Sequence, residues 1–146
     1  MIRDKLTEDM KTAMKGGDKL RLGVIRMLIS ELKNERIAQG KDLDDASEIR
    51  VVNGYAKKRR EAIDAARAGG RDDIANREQA EYDITMSYLP RQLTEDEVRA
   101  IVRRHADANT ATGPQAFGAV MKAVMADIAG QADGKLVSSL VREMTG

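Results

Sequence analysis

The sequence has no cysteine and no tryptophan, only two prolines, one histidine and one phenylalanine. Zero cysteines exclude disulfides and thiolate metal sites. Aromatics make up 3% of the chain and apolar residues 42%, so a core must be built from Leu, Ile, Val, Met and Ala. Strand-like alternation is missing as well, and the pattern predicts an all-α protein. No apolar run approaches the roughly 20 residues that span a bilayer. Met1 leads straight into the charged run IRDKLTEDMK with no signal-peptide pattern, so a cytoplasmic setting without membrane contact is expected. Nor is there an excess of one charge. The formal net charge is +1, which provides no global field for a polyanion. Any such binding has to be local.

What is present is helical spacing. With 146 residues there is chain enough for a real core in one or two small domains. Ile2, Leu6, Met10 and Met14 mark a first helix that stops at Gly16-Gly17. Asp18 is placed to cap a second, running through Leu28 and Leu32 to Gly40. After the polar stretch KDLDD, Asp45-Ala-Ser-Glu48 resembles a capping box, opening a third helix that reaches Gly69-Gly70. A fourth starts near Arg71-Asp72-Asp73 and ends at Tyr88-Leu89, because Pro90 cannot continue it. Thr94-Glu-Asp-Glu97 is another capping box, for helix five. Pro114 suits the first turn of helix six, and Asp133 the N-cap of helix seven. The proline and the fresh cap side by side predict a four-helix domain over residues 1–93 and a smaller three-helix domain over 94–146. The second carries 6 basic and 7 acidic residues.

Two constellations carry chemistry. The run Lys57-Lys58-Arg59-Arg60 reads first as a nucleic-acid patch. Four consecutive helical residues, however, spread over about 300° and cannot form one tight surface. Arg59 and Arg60 fall in the stripe Ile49, Val52, Ala56, Ile63, while Glu78 and Glu81 share a face of the next helix. Antiparallel packing across Gly69-Gly70 brings the groups together, so interhelical ion pairs among Arg59, Arg60, Glu78 and Glu81 are expected. In the closing hairpin, Gly118 and Lys122 are neighbours on one edge of helix six, and Lys135 sits in the first turn of helix seven. Free N–H groups there, together with Lys122 and Lys135, could hold phosphate oxygens, with Gly118 admitting a ligand's backbone. The alternative is an ordinary solvated edge. His105 extends an apolar stripe and has no Cys or carboxylate cluster in sequence, so neither a metal site nor a triad is expected. No phosphate-binding glycine loop and no activated nucleophile is present, and no cofactor is expected.

The stretches "KKRREAIDAARAGGRDDIANREQAEYDITMSYLPRQLTEDE", "FGAVMKAVM" and "GQADGKLV" together resemble the YqeY-like family, over almost the whole chain. These are small bacterial proteins related to the tail domain of the B subunit of aspartyl/glutamyl-tRNA amidotransferase. Lys58, Arg60, Glu61, Arg71, Glu78, Glu81 and Tyr88-Leu89-Pro90 carry the first part of the likeness. Gly118, Met121, Lys122, Gly130, Ala132 and Val137 carry the second. The resemblance implies an N-terminal helical domain followed by a three-helix GatB/YqeY-type tail that, in the amidotransferase, contacts tRNA. It implies a non-catalytic accessory module near glutamine-dependent carbon–nitrogen ligase or aminoacylation chemistry. Candidate partners are then tRNA, an aminoacyl-tRNA synthetase or amidotransferase components. The alternative is a protein–protein interaction module that keeps the tail fold without RNA affinity.

Overall fold

Helix caps divide the chain before any packing does. A computed structural model describes residues 1–146 and contains seven α-helices and no strand. They are α1 (Ile2–Gly16), α2 (Lys19–Gln39), α3 (Asp45–Ala68), α4 (Asp72–Met86), α5 (Glu95–Ala108), α6 (Pro114–Ile128) and α7 (Gly134–Thr145). The chain separates into two compact units, Met1–Leu89 and Pro90–Gly146.

In the first unit, α1 ends at Gly17 and α2 at Gly40, both left-handed (φ 68° and 69°), as a helix C-cap favours in glycine. Asp18 accepts the Arg21 N–H and so starts α2. The start of α3 differs from the expected capping box. Asp44 is the N-cap and accepts the Ser47 N–H at 2.8 Å. Glu48, 1% exposed, turns inward and accepts the backbone N–H groups of Ile2 and Arg3, both at 3.2 Å. A buried carboxylate thus satisfies two donors that α1 cannot pair internally, and its charge suits the positive end of the α1 dipole. The core gathers Leu6, Val24, Ile25, Leu28, Val52 and Tyr55 with Tyr88 and Leu89. The helix α4 stops at Met86, two residues before the expected end. Tyr88 and Leu89 continue as a turn whose side chains remain buried.

In the second unit, Thr94 and Glu97 form the full reciprocal capping box of α5. Pro114 occupies the first turn of α6, and Asp133 caps α7. The core is aliphatic throughout: Val98, Val102, Val120, Val124, Ile128, Val137, Leu140 and Val141. Leu93 belongs to this unit. It packs on that core and donates its N–H to the Gln131 carbonyl at 2.8 Å, while the Gln131 side chain donates to the Arg91 carbonyl. The segment before α5 is thereby tied to the α6–α7 turn, which moves the division upstream of the expected one after Leu93. Within that turn Ala129, not a glycine, takes a left-handed conformation (φ 46°), followed by Gly130 (φ 82°).

Candidate functional site

The α6–α7 hairpin is antiparallel. The Arg142 guanidinium near the end of α7 lies 5.6 Å from the ring centroid of Phe117 near the start of α6. Gly118 and Lys122 are both exposed on α6, one turn apart. A Cβ built at Gly118 meets nothing within 4 Å, so no contact inside the chain demands glycine there. Lys122 and Lys135 are exposed, and neither ammonium has an ion-pair partner. The two lysines are not side by side. Lys122 lies six residues from the C-terminal end of α6, about 9 Å along its axis, whereas Lys135 is in the first turn of α7. One N–H of that first turn is taken by the expected cap: Asp133 Oδ1 accepts from Lys135 N at 3.1 Å. An anion at this helix start would therefore meet the Asp133 carboxylate beside the remaining N–H groups. The edge that stays open is Gly118–Lys122.

His105 has no carboxylate cluster near it in sequence, yet its Nε2 lies 2.9 Å from Asp127 Oδ2, and Arg104 pairs with the same oxygen. The His105 hydrogen bond, helped by Arg104, holds the Asp127 carboxyl below the usual carboxylate range. These three residues bridge α5 and α6. They lie 22 and 23 positions apart in sequence, with no local pattern to announce the contact.

In the first unit, α3 and α4 face each other across the Gly69-Gly70 turn. Arg59 Nη1 lies 3.2 Å from Glu78 Oε2 and 3.9 Å from Glu81 Oε2, and its guanidinium sits 5.1 Å from the Tyr55 ring centroid. The three side chains are largely buried, with 28%, 19% and 19% exposure, so screening is weaker than at an open surface. Burial, and then the neighbouring Glu78, push the Glu81 carboxyl above its ordinary value. Arg59 Nε is buried without a hydrogen-bond partner. Arg60 does not join this cluster. One residue further along α3 turns it by about 100°, and it donates instead to the Tyr82 hydroxyl at 3.3 Å and lies over that ring. Lys57 and Lys58 are exposed. The basic run thus splits into an inward arginine, an arginine on tyrosine and two solvated lysines. No group of three or more His, Asp or Glu side chains is placed to hold a metal ion. No helix is long and apolar enough to cross a membrane.

A family described as YqeY-like protein matches residues 3–145. Similar relatives are fungal proteins named "Altered inheritance of mitochondria protein 41, mitochondrial". The one from Lachancea thermotolerans is 38% identical over 85 residues, covering 58% of this chain and 46% of the relative. The one from Saccharomyces cerevisiae S288c is 34% identical over 85 residues, with the same coverage. A third, from Pyrenophora tritici-repentis, is 27% identical over 149 residues, covering 100% of this chain and 82% of the relative. The chain therefore spans about half the length of the first two. These names are eukaryotic and mitochondrial, so they lend no support to the bacterial and cytoplasmic setting expected from the sequence.

Proposed function

We propose for this chain, which belongs to the YqeY-like family, the role of a non-catalytic tRNA-binding accessory module. It would act beside tRNA-dependent amidotransferase or aminoacylation chemistry. Its second unit would serve as a GatB/YqeY-type tail and its partners would include tRNA, an aminoacyl-tRNA synthetase or amidotransferase components. The observation that supports this reading best is the pairing of Gly118 with Lys122. A helical glycine costs roughly 1 kcal/mol against alanine, yet no contact within the chain uses the space above it. An exposed lysine one turn away supplies a cation for a phosphate that approaches over that gap. Lys135 would add a second, more distant contact. The acidic Asp133 cap and the near balance of charge in this unit favour few contacts, and hence weak, salt-sensitive binding.

Filter binding of bulk tRNA across a salt series tests the reading. Removing Lys122 or Lys135 should weaken retention across all tRNAs and flatten the log-log salt slope by somewhat under one unit each. No retention by the wild-type chain at low salt would end the tRNA reading and leave a protein-interaction module.

A further inference from the structure

A cavity of about 200 Å³ lies in the first unit among α1, α2 and the start of α3. Ile29, Leu32 and Leu43 supply its apolar lining, and the sequence between Gly40 and Asp44 brings Leu43 inward, 4% exposed. Three cations stand around it: Arg3 from α1, and Lys33 and Arg36, one turn apart on α2. None of the three has an ion-pair partner, unlike Arg59, Arg91, Arg99 and Arg104. The one acidic group lining the cavity is Glu48. Its two oxygens are each taken by a backbone N–H, from Ile2 and Arg3, so it is committed to the start of α1. An apolar recess bordered by three cations, whose single carboxylate is already engaged, is complementary to a small molecule with a greasy body and an anionic head.

We propose that this cavity is a binding site for a small amphiphilic anion. The apolar body rests on Ile29, Leu32 and Leu43, and the head is held by Lys33 and Arg36 with Arg3 opposite. A cavity of about 150 Å³ accepts benzene, so this one suits a phenyl-sized body with a short chain. The head is a carboxylate or a phosphate. Both ask the same of the site, which is cationic donors at the rim of a largely apolar recess. This site lies in the unit that does not carry Gly118 and Lys122, and it stands or falls independently of the tRNA reading.

The test is methyl-resolved NMR titration of the full chain with 3-phenylpropionate, with phenyl phosphate, and with the neutral 3-phenylpropan-1-ol. Saturable shifts of the Ile29, Leu32 and Leu43 methyl signals are expected with at least one anion. The alcohol should bind roughly tenfold or more weakly, the loss that one charge-assisted contact represents. The Lys33→Ala/Arg36→Ala double variant changes only exposed side chains, and an unchanged thermal melt verifies its fold. It should lose the preference for the anion over the alcohol, whereas Lys57→Ala/Lys58→Ala should keep it. Three results each overturn the site: no saturable shift with either anion, equal affinity for acid and alcohol, or a double variant that binds anions as the wild type does.

Discussion

The Tyr88 hydroxyl donates a 2.6 Å hydrogen bond to the Asp9 carboxylate, joining the turn after α4 to the middle of α1 across 79 positions of sequence. Tyr88 is 6% exposed, and Lys5 lies over its ring at 5.4 Å. Burial, and then the Asp9 bond, push the phenol well above its ordinary range, so it stays a donor at any working pH.

Tyr88→Phe keeps the ring and removes the donor. A hydrogen bond to a charged group contributes about 1.5–3 kcal/mol, and that loss should appear in urea unfolding. Asp9→Asn retains an acceptor and should cost less. A Phe variant within about 0.5 kcal/mol of wild type, the range of indifferent surface changes, would show that packing alone holds Tyr88.

Arg59 and Glu78 should be energetically coupled, and Arg60 should not. The pair is partly buried, which places the coupling between the 0–1 kcal/mol of exposed pairs and the larger values of buried ones, at about 1–3 kcal/mol. A double-mutant cycle on Arg59→Ala and Glu78→Ala measures it. The same cycle with Arg60→Ala should come out near zero, because that guanidinium reaches Tyr82 instead. Equal couplings for both arginines would contradict the geometry.

Glu81 should behave opposite to Glu78. Its carboxyl is raised above the ordinary value of 4.5 by burial first and by Glu78 second, so the folded state holds the proton more tightly than the unfolded one. The stability this contributes is complete below the ordinary value and lost as pH rises through the raised one. At neutral pH the ionised Glu81 is left as a cost. Glu81→Gln should then equal or exceed wild-type stability at neutral pH and lose that advantage at about pH 4. Glu78→Gln, by contrast, should destabilise, since Glu78 is the closer partner of Arg59. Strong destabilisation by Glu81→Gln at neutral pH would mean that the 3.9 Å contact with Arg59 outweighs burial.

Gly118 separates stability from binding. An added methyl meets open space, so Gly118→Ala should raise stability by up to about 1 kcal/mol, measured by thermal melting. If this edge carries tRNA, Gly118→Leu should reduce retention more than Lys122→Ala does, without unfolding the chain. Lost stability with unchanged retention would return Gly118 to a packing role.

The helices themselves were legible because their signals are local. Asp18, Thr94 with Glu97, Pro114 and Asp133 act within three residues of their own position, and Gly17 and Gly40 meet a purely backbone requirement. The Gly118–Lys122 neighbourhood is equally local, following from helical spacing alone. Partner choice over long separations was not legible. Glu48 looks like the third residue of its own helix's capping box, yet it bonds Ile2 and Arg3, because the crossing of α1 over α3 brings two unpaired N–H groups within its reach. The sequence suggested that α3 arginines meet α4 carboxylates. Only the packed interface decided that Arg59 meets them while Arg60, about 100° further round, turns to Tyr82. The same holds for Asp127 with Arg104 and His105, and for the open space above Gly118. Spacing fixes the face of a helix on which a side chain lies. What that face meets depends on how the helices cross, which no residue encodes within its own turn.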